Sequence, residues 1–157
     1  ANKKVNRAIK SGAMAVGAEV KINDIPGYLP LLDKKELDDI LMTNLSEFLD
    51  EEDIQNGSSF AGSFDFGDVS HLMPALHPFF GGIKGDLHTR NFELIDEELA
   101  YITPAKTLAM TVIDLLYDDG QTAQNIVDNH EPVLTKEEYI ELLDNFSKDI
   151  HFKAEDE

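Results

Sequence analysis

With no cysteine in this 157-residue chain, histidines and carboxylates are the side chains left to ligate a metal. The histidine that asks for an explanation is His88, in "GDLHTRNFEL", between the glycine-rich "FGGIKGD" and a long helical stretch. It could serve as a metal ligand, a catalytic base, a loop residue in water or a polar filler of a structural hole. Neutral imidazole binds zinc well, and a short glycine-flanked loop can approach an ion closely. An isolated His-Thr pair favours the solvated loop, because histidine has many such uses.

A second constellation is "GSFDFGDVSHLMPALHPFFGG". Gly62, Ser63 and Asp65 form a turn whose N–H groups could hold a carboxylate. Equally, Asp65 could simply cap the helix that follows. His71 falls inside that helix and His77 beside a proline in an apolar stretch, and both suit core or supporting roles.

Other chemistries fail on pattern. The "DFG" here has neither a catalytic-loop motif nor a glycine-rich phosphate loop, so a kinase is excluded. Setting Gly57 on the glycine of a calcium loop places Ile54 at a ligand position and Ser63 where a bidentate glutamate belongs. The pairs Glu51–Glu52, Glu97–Glu98 and Glu137–Glu138 lie at loops or helix starts, where carboxylates favour the dipole. With 31 acidic against 13 basic residues, the formal charge is −18. Such a surface repels phosphate backbones and anionic lipid, so neither nucleic acid nor membrane is an expected partner. No apolar run approaches the roughly 20 residues of a bilayer span, no signal peptide is evident, and a cytoplasmic location is the default.

The elements that must position these residues alternate between helix and short strand, an α/β pattern. "KKVNRAIKSGAMAV" has apolar residues at helical spacing with Gly17 as a stop, and "AEVKIND" alternates as a strand. From Asp33 as cap, "KKELDDILMTNLSEFL" sets Leu37, Ile40, Leu41, Leu45, Phe48 and Leu49 on one helical face. A short helix is expected over 65–73 and a buried strand over 75–80. Thr103 is expected to cap a helix beginning at Pro104, "PAKTLAMTVIDLLY", so apolar all round that it should lie buried against a sheet. "QTAQNIVDN" and, capped by Thr135, "KEEYIELLDNF" complete the helices. An acidic tail closes the chain.

Taken in order, "GYLPLL", "GSFDFGDVSHLMPALHPFFG" and "LHTRNFE…AKTLAMTVIDLLYD" resemble the C-terminal portion of the dinuclear-zinc amidohydrolases and peptidases. That family includes aminoacylase and carboxypeptidase G, and the likeness is nearest to its aminobenzoyl-glutamate hydrolase branch. The resemblance implies a mixed-sheet catalytic domain with a ferredoxin-like lid inserted in it. Residues 1–27 would then be the end of the lid, its last helix and strand. Residues 28–157 would be the C-terminal part of the catalytic domain. It also implies two divalent metal ions in the intact protein, zinc first and manganese second, with His88 as the last ligand. Gly62, Ser63 and Asp65 would lie near the substrate, although Phe64 stands where relatives carry a polar residue.

The family's general base and bridging ligand belong to an H-x-D segment, which this sequence does not contain, and to a Glu-Glu pair in a glycine-rich context, which none of its three Glu-Glu pairs has. On that reading it is a fragment of an enzyme that hydrolyses the amide of an acyl- or aryl-amino acid or small peptide. It would hold no metal tightly alone, pair with its missing N-terminal half and form a homo-oligomer. The alternative is a non-catalytic binding or assembly module that reuses the fold.

Overall fold

The computed structural model describes residues 1–55 and 62–153. Gly57 of the rejected calcium loop and the tail from 154 lie outside the described residues. The chain divides into two compact units, Ala1–Gly27 with the segment from Leu134 onward, and Tyr28–Val133.

In the first unit, α1 (Asn2–Ala15) ends where expected. Gly17 takes φ +65, and the N–H groups of Gly17 and Ala18 reach the carbonyls of Met14 and Ala13 at 3.1 and 2.9 Å. That double closure needs a left-handed residue, which glycine adopts without a Cβ penalty. Strand β1 (Val20–Asp24) pairs antiparallel with β4 (Lys148–Phe152), in a register that sets Ile22 opposite Ile150 and Val20 opposite Phe152. Before it, α5 (Lys136–Phe146) begins with a full capping box. Thr135 Oγ1 accepts the Glu138 N–H, while the Glu138 carboxylate accepts the Thr135 N–H at 2.8 Å.

The second unit is built on helix packing. Leu37, Leu41 and Leu45 of α2 (Lys35–Leu45) are buried at four-residue spacing, as the periodicity predicts. The cap differs. Lys34 is the N-cap residue and Asp33 makes no capping bond. Phe48 and Leu49 fall beyond the helix, which ends at Leu45.

Helix α3 (Phe66–Leu72) is followed by the segment 75–80, where the sequence led us to expect a strand; the structure has none there. The strands of this unit are β2 (Ile83–Lys84) and β3 (Glu93–Leu94), an antiparallel hairpin that pairs with itself and offers that segment no ladder.

A π turn (Glu98–Ile102) leads into α4 (Thr103–Asp128). Thr103 is already helical and does not cap; instead Asp96 Oδ1 accepts the Leu99 N–H at 2.9 Å. The helix breaks at Tyr117–Gly120, where Asp118, Asp119 and Gly120 take φ of 53, 55 and 73. That break divides a stretch otherwise long and apolar enough to cross a membrane. The expectation that α4 is buried against a sheet is overturned. It packs on α2 through the threonine stripe Thr103, Thr107 and Thr111, while Val112, Ile113 and Leu116 are 52, 62 and 63% exposed. Two-stranded ribbons are too small to cover it, and threonine hydroxyls can satisfy themselves on the helix. Thr107 and Thr111 each donate to the carbonyl four residues back, at 2.8 and 2.9 Å.

Candidate functional site

His88 occupies the loop between β2 and β3. Gly85 opens that loop at φ +88, where an added Cβ would run into the carbonyl of Asn91, so no larger residue fits. A turn then closes on Asp86, whose carbonyl accepts the Thr89 hydroxyl at 2.8 Å and the Thr89 N–H at 3.3 Å. His88 sits inside this turn with φ +62, a left-handed conformation uncommon outside glycine, and its side chain is exposed. The loop therefore presents the imidazole outward.

Asp65 sits at the head of α3, where its carboxylate accepts the Phe66 N–H at 2.9 Å. The capping alternative is thus realised, and Gly62 and Ser63 form exposed backbone just before it. Among the described residues no hydrogen bond or ion pair joins Asp65 to His88, and no group of three or more His, Asp or Glu side chains could hold a metal ion. One exposed imidazole falls short of the roughly four ligands of a zinc site. The described residues alone do not make a metal centre.

What the motif run does build is a seam. Gly67 is buried with its α-carbon directly against the Leu29 carbonyl, so close that a Cβ would lie 3.0 Å from the Leu29 carbonyl carbon and 3.3 Å from that of Pro30. One residue on, Asp68 Oδ1 accepts the Leu29 N–H at 2.8 Å. Ser70 Oγ accepts the Leu32 N–H at 3.0 Å and donates to the Gly67 carbonyl at 2.6 Å. "GYLPLL" and "GDVS" are thus the two sides of one contact, with spacing set by backbone hydrogen bonds. Sequence reading missed this role for Gly67, Asp68 and Ser70. A glycine and two short polar residues inside one helical turn were its signal.

His71 is buried, and its Nδ1–H donates to the Gly67 carbonyl at 2.9 Å, a supporting role as expected. His77 lies among three phenylalanines, with ring centroids 4.5 Å from Phe64, 5.3 Å from Phe66 and 5.2 Å from Phe79. Its Nδ1 is buried without a hydrogen-bond partner among the described residues. Phe64, the departure from the polar residue of the resembled motif, is accounted for by this cluster.

No family model matches the chain, and no solved structure matches it. Two curated relatives do. The Xaa-Arg dipeptidase of Homo sapiens is 30% identical over 152 residues, covering 90% of this chain and 34% of the relative. The Xaa-Arg dipeptidase of Mus musculus is 32% identical over 125 residues, covering 73% and 28%. The chain thus spans about a third of the length of the curated relatives it matches. This distant likeness to dipeptidases supports a peptidase or amidohydrolase family for the chain.

Proposed function

We propose that this chain is part of a metal-dependent amidohydrolase or peptidase that cleaves the amide bond of a small peptide or an acyl- or aryl-amino acid. The observation that carries this reading is the likeness to two dipeptidases across most of the chain. The exposed His88 supports it, because the loop geometry holds an imidazole outward where ligands from other residues of a longer protein can join it. In that protein His88 is one ligand of a divalent ion, zinc or manganese, which when bound supplies Lewis acidity and an activated water. The chain's own part is positional. Gly85 and the Asp86–Thr89 turn fix where His88 stands, Asp65 caps α3, and the exposed Gly62–Ser63 segment before it faces the carboxylate of the substrate. Residues 1–27 belong to a lid that forms the dimer.

The general base is absent from this reading of the chain, so the isolated chain turns over no dipeptide or N-acyl amino acid at enzymatic rates, with or without added zinc or manganese. The test is a turnover assay of the full-length protein with Xaa-Arg dipeptides, N-acetyl amino acids and aminobenzoyl-glutamate, before and after chelation. Chelator-sensitive hydrolysis is expected. A full-length protein that binds such compounds without cleaving them, under any metal, would instead establish a binding module.

A further inference from the structure

The distribution of charge along this acidic chain is uneven. Of its 13 lysines and arginines, eight belong to Ala1–Gly27 and the segment from Leu134 onward, whereas 21 of its 31 acidic residues belong to Tyr28–Val133. Half of those eight cations line a single groove of about 820 Å³ in the first unit: Lys3, Arg7 and Lys10 from α1, and Lys148 from β4. The three on α1 follow i, i+4, i+7 spacing and share one face. Like charges so spaced repel, a cost to the helix. No ion pair relieves them among the described residues, in which the lysine pairs formed are those of Lys21, Lys34, Lys35 and Lys106. The carboxylate within the groove, Asp24, is held by Asn6 Nδ2 at 2.6 Å.

The floor is of the opposite kind. Phe146, Ile150 and Phe152 line the same groove, and Phe146 remains 48% exposed. Volume and lining match small-molecule sites, which occupy roughly 300–1,000 Å³ and join apolar walls to a few polar groups that fix orientation. An apolar floor beneath unpaired cations selects a ligand with a tail and a negative head.

We propose that this groove binds a small amphipathic carboxylate, its apolar part on Phe146, Ile150 and Phe152 and its charge met by Lys3, Arg7, Lys10 and Lys148. The complementary charge argues for a soluble carboxylate ahead of an uncharged ligand, and the apolar part of the lining argues for a tailed anion ahead of inorganic phosphate.

The experiment is an amide chemical-shift titration of the whole chain with decanoate below its micelle concentration. Decanol, decylamine, inorganic phosphate and phosphatidylserine vesicles are run alongside. Saturable shifts confined to α1, β1, the C-terminal end of α5 and β4 are expected, with decanol, decylamine and phosphate at least about tenfold weaker. Arg7→Gln with Lys148→Gln is expected to weaken decanoate by about tenfold or more while leaving the circular dichroism spectrum unchanged. If that double variant fails to fold, the salt dependence of the wild-type chain decides instead, since affinity must fall steeply as salt is raised to about 0.5 M. Equal affinity for decanoate and decanol, shifts centred on the exposed face of α4, or vesicle binding without decanoate binding would each overturn the proposal.

Discussion

Replacing Gly67 by alanine tests whether the motif run is a packing seam. The new Cβ would press on the Leu29 carbonyl and lie 3.0 and 3.3 Å from the carbonyl carbons of Leu29 and Pro30. All of these are backbone atoms, which cannot rotate aside. The segment is also pinned on both flanks, by the Leu29 N–H on Asp68 and the Leu32 N–H on Ser70. Relieving the clash must therefore stretch at least one of those bonds. Overpacking of this kind costs about 1–3 kcal/mol, and weakening a hydrogen bond to a charged acceptor adds about 1.5–3 kcal/mol. Alanine's helix propensity returns about 1 kcal/mol.

The net expectation for Gly67→Ala is a loss of about 1.5–5 kcal/mol, measured by urea unfolding followed through helical circular dichroism. Faster hydrogen exchange at the Leu29 and Leu32 amides should accompany it. Gly12→Ala is the control. No atom lies within 4 Å of its Cβ position, and it sits in the interior of α1, so it should stabilise by up to about 1 kcal/mol. A Gly67→Ala chain as stable as wild type, with unchanged exchange at Leu29 and Leu32, would refute the seam.

Three further outcomes follow from side-chain geometry. Asn44→Ala removes the Nδ2 donors to Asp114 at 2.8 Å and Thr111 at 3.3 Å in the α2–α4 contact; it should cost about 1.5–3 kcal/mol in urea unfolding, against about 0.5 kcal/mol or less for the exposed Val112→Thr. Thr135→Ala breaks the capping box and should cost about 1 kcal/mol. The Thr135 backbone N–H, then its side chain, hold the Glu138 carboxyl below the usual range, so that stability is complete above the ordinary glutamate pKa and is lost as pH falls through the lower folded value; the backbone bond survives in the variant, so most of that pH dependence should persist in Thr135→Ala and disappear in Glu138→Gln. Burial, then the charges of Asp33 and Asp39, raise the Asp38 carboxyl. The ionised form is therefore the disfavoured one in the fold, and Asp38→Asn should raise the urea midpoint at neutral pH with the gain vanishing below about pH 3.

Local signals in the sequence were read well where one short segment carries its own answer. Gly17 ends α1 because a left-handed residue is needed there, and Thr135 with Glu138 begins α5 because two orphan N–H groups demand it. The leucine spacing of α2 gave its buried face. Where the deciding partner is distant, the pattern was silent or misleading. "KDIHF" alternates like a strand, but only its pairing with β1 makes it one, and Asn23 meets Asp149 across 126 positions. Residues 75–80 have strand composition without a strand to pair with. Apolar composition around α4 suggested burial, yet its threonines make the contact with α2, because hydroxyls bonded to their own helix pack closely. At the candidate site, the placement of Asp65 ahead of a helix was legible. The phenylalanine ring around His77 and the anchoring of residues 29–32 by Asp68 and Ser70 were not, since both join segments far apart in the chain.

The central claim rests on His88, and the most direct measurement is metal content together with peptide turnover in the full-length protein carrying His88→Ala. The exposed side chain contributes little to folding, so the change should alter stability by no more than about 0.5 kcal/mol. Loss of one of about four ligands should nevertheless lower metal occupancy and turnover together, by tenfold or more. A His88→Ala protein with a full complement of metal and undiminished hydrolysis would contradict the assignment.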